Sequence, residues 1–306
     1  MSINIIMLTG FWGTGKTTLL SAMLDEYKDE KIGVIVNDFG QVCIDGTLIE
    51  RDGITMRELP NGSIFCACIK DTFLNSLIAI SDKDINYLFI EASGLADPSS
   101  MSQILKAISP KTIREYNYVG SICVVDGETF LGYYDLLPAL HQQVAYSGVI
   151  IVNKVDLIEE DLITKVLNTL TSINPQAAIY VTSYCRVDFR EITERLSAPK
   201  IPGAESSNTV ESRPKTFILS SNEQLPYFEF VNFIQDLSPN AYRIKGFADT
   251  TEGNVYVSSV KNHVSISPWD RPVKETKITV ISAVGIRMMS IITGGLKGEL
   301  SGKLKI

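Results

Sequence analysis

Short apolar runs, separated by longer amphipathic stretches, set the pattern of the first two thirds of this chain. Residues 3–8, 32–36, 87–90, 120–125, 149–152 and 179–181 are nearly continuous apolar runs of strand length. Strands buried on both faces in a parallel sheet read this way, whereas half-exposed strands alternate. Between the runs, residues 16–27, 73–81 and 159–173 read as helices. Strand–helix alternation predicts an α/β domain with helices on both sides of a mostly parallel sheet. The texture changes at residues 197–214, where Ser, Pro and small polar residues replace the apolar runs, a linker composition. Beyond it, residues 225–237 read as a helix, and residues 216–219, 254–260, 263–267 and 277–284 have strand character. The expected organisation is an α/β domain over 1–196, a linker over 197–214 and a smaller α+β domain over 215–306.

Composition narrows the classes. A chain of 306 residues, 45% hydrophobic and 21% charged, has the makeup of a folded globular protein of about two domains. Its 28 basic and 35 acidic residues leave a formal charge of −7, and no dense Lys/Arg cluster occurs. That excludes nucleic-acid binding through a general basic surface. No apolar run approaches the roughly 20 residues a membrane helix needs. The stretch before Gly10 has no basic flank and ends early, so no signal peptide is expected there. Five scattered cysteines make a poor disulfide framework and point to reduced thiols in a cytoplasmic setting.

Gly10-Phe11-Trp12-Gly13-Thr14-Gly15-Lys16-Thr17 matches G-x-x-x-x-G-K-[ST] in full, between the first strand and the first helix. The glycines let successive N–H groups wrap phosphates, and the helix N-terminus adds its positive end. Gly13, Thr14, Gly15, Lys16, Thr17 and Thr18 are the expected phosphate contacts. Lys16 reaches the β- and γ-phosphates, and Thr17 ligates Mg²⁺.

Asn153-Lys154-Val155-Asp156 closes the apolar run 149–152. An aspartate there accepts both N–H groups of a guanine edge, a pattern adenine lacks. The lysine packs its stem along the base, and the asparagine ties this loop to the phosphate loop. A strand end is where an α/β sheet binds ligands, so GTP is the expected nucleotide. Glu91 ends the run 87–90, placed to join Thr17 at Mg²⁺ or to orient the attacking water, and Gly94 follows to face a γ-phosphate. Asp38, in the loop after 32–36, is expected to approach the magnesium when that loop orders around GTP.

These residues together resemble the CobW-type P-loop GTPases, accessory proteins in metal delivery and cobalamin-related metabolism. Residues 9–20 resemble that family's TGFLGAGKTTLL, Asn37-Asp38-Phe39-Gly40 with Ile44-Asp45 its NEFG…ID, and residues 91–98 its E-x-[ST]-G-L-A-D-P. Arg243-Ile244-Lys245-Gly246 and Trp269-Asp270-Arg271-Pro272 resemble its C-terminal motifs. The resemblance implies slow GTP hydrolysis coupled to delivery of a metal or metallocofactor to a client protein. The client would be a metalloprotein or a cobalamin-related protein, and a homodimer is one arrangement open to the chain.

One motif departs from the family. Where members carry a Cys-x-Cys-Cys metal site in the context NGCICC, this chain reads Asn61-Gly62-Ser63-Ile64-Phe65-Cys66-Ala67-Cys68. The acidic residue that often follows NEFG is Gln41. Cys66 and Cys68 still form a soft-donor pair for Zn²⁺ or another thiophilic metal, and Cys43 is a candidate third ligand. Cys123 reads as a small buried hydrophobe, and His141 as an ordinary helix residue. Two other readings stay open: a GTP-dependent protein-binding module with structural cysteines, and a P-loop kinase acting on a small molecule.

Overall fold

The computed structural model describes residues 2–37, 55–59, 67–196, 214–260 and 263–306. The chain forms two compact units, Met1–Ser212 and Arg213–Ile306. Among the described residues, the first unit holds strands β1 (Ile3–Thr9), β2 (Ile32–Asn37), β3 (Thr55–Leu59), β4 (Tyr87–Glu91), β5 (Tyr116–Asp126), β6 (Val149–Asn153) and β7 (Ala178–Val181). They lie in the order β3-β2-β4-β1-β5-β6-β7, and every pairing is parallel. Helices α1 (Lys16–Glu26), α2 (Ala67–Ile80), α3 (Met101–Ile108), α4 (Pro138–Ala145), α5 (Glu160–Ile173) and α6 (Phe189–Arg195) accompany the sheet. This is the α/β architecture that the strand–helix alternation predicts.

Both sheet faces are covered, which explains the unbroken apolar runs. Ile3, Ile5 and Met7 of β1 pack with Leu88 and Ile90 against Phe73, Leu77 and Met101 from α2 and α3. Ile6 and Leu8 of the same strand face the other way, with Phe89 and Val124, against Leu19, Leu20 and Met23 of α1 and Ile192 of α6. At about 25 cal/mol per Å² of apolar surface removed from water, two fully lined faces supply the main driving force for this unit.

Several element bounds differ from the sequence expectation. β3 is not visible as an apolar run, because Arg57 and Glu58 sit at its centre. Among the described residues it is an edge strand that pairs with β2 alone, so it escapes the demand placed on interior strands. β5 begins at Tyr116 instead of residue 120; its first four residues are only partly covered and read as mixed. Helix α2 begins at Ala67, six residues before the expected start.

The second unit is α+β. Strands β8 (Thr216–Ser221), β9 (Ala241–Thr250), β10 (Gly253–Val260), β11 (His263–Pro268) and β12 (Thr276–Ser282) form an antiparallel sheet in the order β11-β10-β9-β12-β8. Helices α7 (Tyr227–Leu237) and α8 (Met288–Gly295) supply Phe230, Phe233, Ile234, Met288 and Ile292 to a core shared with Ile244, Val257, Ile278 and Val280. The central strand β9 is the element the pattern misses. Its Ile244 and Ala248 belong to that core, while Arg243, Lys245 and Asp249 alternate with them. Among the described residues, no helix is long and apolar enough to cross a membrane.

Gly246 of β9 lies so close to β12 that an added Cβ would meet the Lys277 carbonyl oxygen well inside van der Waals contact. The two strands pair here, Ile278 opposite Gly246, so neither backbone yields without breaking ladder bonds. Gly246→Ala is expected to lower stability by about 1–3 kcal/mol, the usual cost of overpacking a filled interior. Urea unfolding followed by circular dichroism measures this.

Candidate functional site

A parallel sheet whose strand order steps away from β1 on both sides opens a crevice beyond the strand ends. Thr9, Glu91, Asp126, Asn153 and Val181 are the last residues of their strands. The Gly10–Lys16 loop leaves β1 and enters α1 there. Three of its glycines have left-handed φ: Gly10 at 134°, Gly13 at 74° and Gly15 at 115°. The requirement at Gly15 is also spatial, since a Cβ would stand 2.6 Å from Asn153 Nδ2 and 2.9 Å from Cys185 Sγ.

Lys16 is 7% exposed and donates from Nζ to the carbonyls of Gly10 and Phe11, each at 2.9 Å. The ammonium is thus held inside the loop's curve. Thr17, one residue into α1, donates its hydroxyl to Glu91 Oε1 at 2.8 Å. Glu91 is buried at 5% exposure, in register with Leu8 across β1 and β4. A hydroxyl and a buried carboxylate at that separation are hard oxygen donors of the kind Mg²⁺ takes, and they lie beside the phosphate loop. Thr18 is exposed on α1.

The segment after Glu91 packs on the phosphate loop. A Cβ on Gly94 would stand 2.6 Å from Trp12 Cδ1 and 2.8 Å from the Trp12 backbone nitrogen. Gln143 of α4, 1% exposed, donates from Nε2 to the carbonyls of Gly94 at 3.2 Å and Ala96 at 2.9 Å. Asp97 then accepts from Ser99 N–H at 3.0 Å and caps the turn Pro98–Ser100.

At the other end of the crevice, Asn153 is 3% exposed and bridges two loops. Its Nδ2 donates to the Thr14 carbonyl at 2.8 Å, and its Oδ1 accepts from Cys185 N–H at 2.9 Å. Lys154 adopts a left-handed backbone, φ 63°, and its Nζ pairs with Asp126 Oδ2 at 2.7 Å. Asp156 lies in the short turn Val155–Leu157, its N–H donating to Ser183 Oγ at 3.2 Å. Tyr184 and Cys185 also have positive φ, 58° and 53°. Left-handed backbone is uncommon outside glycine, and its clustering beside Asn153 marks a constrained loop.

Sequence patterns single out neither Asp126, Gln143 nor Cys185. The signal for Asp126 was present, a polar residue closing the run 120–125; spacing gave none for Cys185. Burial pushes the Cys123 thiol up to about 12 and the Cys185 thiol up to about 11, Lys16 and Lys154 respectively opposing it weakly. His141 is exposed on α4.

Asp38, Cys43 and Cys66 lie outside the described residues, and Cys68 falls in the first turn of α2. Among the described residues, no group of three or more His, Cys, Asp or Glu side chains is placed to hold a metal ion.

The family model for the CobW/HypB/UreG nucleotide-binding domain matches residues 4–181. Zinc-regulated GTPase metalloprotein activator 1 of Dictyostelium discoideum is 27% identical over 297 residues, covering 80% of this chain and 62% of that protein. Zinc chaperone YjiA of Escherichia coli (strain K12) is 32% identical over 192 residues, covering 61% of this chain and 59% of its own length. The chain therefore spans about 60% of the length of these curated relatives. A crystal structure of zinc-bound YjiA GTPase from E. coli aligns with 97% of this chain and 100% of its own at 20% identity, with a TM-score of 0.47. The match to 4–181 takes in more than half of the sequence, and the chain belongs to the CobW/HypB/UreG nucleotide-binding domain family.

Proposed function

We propose that this chain binds GTP with Mg²⁺, hydrolyses it slowly, and couples nucleotide state to delivery of a thiophilic metal, zinc foremost, to a client protein. The observation that carries the nucleotide half is the Asn153 carboxamide, which joins the phosphate loop to the Asn153–Asp156 segment at one end of the crevice. A single ligand with phosphates at one end and a guanine at the other fits that arrangement. The metal half is supported by relatives named zinc chaperone and zinc-regulated GTPase metalloprotein activator.

The residues have separate tasks. Backbone N–H groups of 13–18 and the start of α1 hold the phosphates, and Lys16 Nζ is positioned for the charge that develops between β- and γ-phosphate. Thr17 Oγ1 and Glu91 Oε1 would hold Mg²⁺, which supplies neutralisation of the phosphate oxygens when bound. Glu91 also orients water for attack, with Asp38 contributing from the loop after β2. Asp156 reads the guanine edge. Slow intrinsic turnover is expected because, among the described residues, no arginine is assigned to the leaving phosphate.

Thiolate, not thiol, binds metal. Cys123 and Cys185 are each 1% exposed, and burial raises both thiols, which disfavours them as ligands; the candidates are Cys66, Cys68 and Cys43. One Cys-x-Cys pair gives two of the four ligands that a closed zinc site needs. The third candidate, and the client or a second copy, complete it.

Three outcomes test this reading. Asp156→Asn should weaken GTP by roughly 10²-fold and favour xanthosine triphosphate, since two hydrogen bonds to a charged acceptor are altered; nucleotide titration reads it, and equal ATP and GTP affinity in the wild type would refute the guanine assignment. Glu91→Gln should cut hydrolysis by roughly 10²–10³-fold while GDP affinity stays within about three-fold. Alkylation at pH 8 should spare Cys123 and Cys185 in the folded chain, where both are buried, and reach them after unfolding. Under anaerobic conditions the alkylated protein should then lose Zn²⁺ binding; zinc affinity unchanged by alkylation, or absent from the reduced wild type, favours the protein-binding module instead.

A further inference from the structure

We propose that Asp126 is a positioning residue for base recognition: it clamps Lys154 into a fixed bar across the purine end of the crevice. The proposal rests on the reading of this crevice as a guanine-nucleotide site.

Asp126 ends β5, next to β6, and is the register partner of Asn153. It is 3% exposed and fully engaged. Oδ1 accepts from the N–H groups of Glu128 at 3.0 Å and Thr129 at 3.2 Å, and Oδ2 accepts from Lys154 Nζ at 2.7 Å. The adjoining Gly127 N–H donates to the Asn153 carbonyl at 3.0 Å. Lys154 is therefore fixed at both ends, its backbone leaving β6 and its ammonium anchored on β5. Its left-handed φ of 63° is a strain of about 1–3 kcal/mol for a side-chain-bearing residue, retained only where surroundings enforce it. Here the enforcing groups are the Asn153 bridge behind it and the Asp126 carboxylate at its tip.

The consequence is chemical. A free lysine samples many rotamers, worth about 2 kcal/mol of entropy. With the ammonium tethered, the four methylenes lie between two strand ends with 31% of the side chain exposed, an apolar edge already set for a planar ring. A ligand that stacks there does not have to order the side chain, the saving that preorganisation brings. The carboxylate also neutralises the ammonium, so Lys154 meets the base as an apolar surface and leaves charge recognition to Asp156 and the phosphate loop.

A turn-forming aspartate with no part in binding is the competing account, and the isosteric amide separates the two. Asp126→Asn keeps an oxygen for the Glu128 and Thr129 N–H groups and removes the ionic hold on Lys154. Calorimetric titration of Asp126→Asn, Lys154→Ala and the double variant, each with GDP and with pyrophosphate plus Mg²⁺, is the experiment. Asp126→Asn should weaken GDP and GTP equally, by about ten-fold, with kcat within about two-fold, since uniform binding is lost. Pyrophosphate, which reaches only the phosphate loop, should bind unchanged. In the Lys154→Ala background the same substitution should add less than about two-fold, the signature of residues acting through one another. Unchanged GDP affinity, an equal loss for pyrophosphate, or additive effects would overturn the proposal. Should the Asn variant fold poorly, Asp126→Ser, whose hydroxyl can accept from the same turn, takes its place. Wild type that prefers ATP refutes the guanine reading, while the purine-against-pyrophosphate comparison still decides the role of Asp126.

Discussion

The crevice hangs on one buried carboxamide. Asn153 uses its donor on the phosphate loop and its acceptor on the loop carrying Cys185, so three chain segments meet through a single planar group. Each of those bonds is worth about 1 kcal/mol net, whereas a stranded buried partner costs about 1–3 kcal/mol, so breaking the junction costs at least as much as making it gains. Gly15 belongs to the same joint, because any side chain there would fill the space the amide occupies. The loops that meet at Asn153 also bury Phe11, Trp12 and Cys185, so this junction, their own apolar side chains and the sheet beneath set their geometry together.

The sheet contributes symmetry about β1. Each of its two neighbours ends in a buried carboxylate: Glu91 on β4 and Asp126 on β5. One faces the hydroxyl of Thr17, the other the ammonium of Lys154. A buried charge is tolerated where it is paired and hydrogen-bonded. The two strand ends thus give the crevice two different linings, a hydroxyl–carboxylate pair at Glu91 and an ammonium–carboxylate pair at Asp126, with the loop that leaves β1 between them. Apolar faces above and below keep the strand ends from drifting, and that rigidity makes the separation meaningful.

Much of this was legible in the sequence, for an identifiable reason. Interior parallel strands must be apolar on both faces, so β1, β2, β4 and β6 announce themselves. The glycines and Lys16 follow β1 in a spacing that a wrapped loop demands. What the sequence concealed was set by pairing. Edge strand β3 carries Arg57 and Glu58, β9 alternates charge with aliphatics, and Gln143 and Cys185 meet partners at least 32 residues away. Nothing local distinguishes Gln143 from any other glutamine on a helix until its amide is seen holding the Gly94 and Ala96 carbonyls.

Those carbonyls belong to a segment with no slack. Gly94 sits against the Trp12 indole with less than a methyl group's clearance, and its carbonyl is tied to α4. Nothing the size of an atom can be inserted between the phosphate loop and the Glu91 segment unless one of them yields. The Trp12 side is backed by the ring of Phe11, which in turn meets Tyr133. Any wedge driven in at Trp12 would thus be felt as a tug on Gln143, and a few tenths of an ångström at the loop would travel outward along a helix instead of dying in a flexible turn.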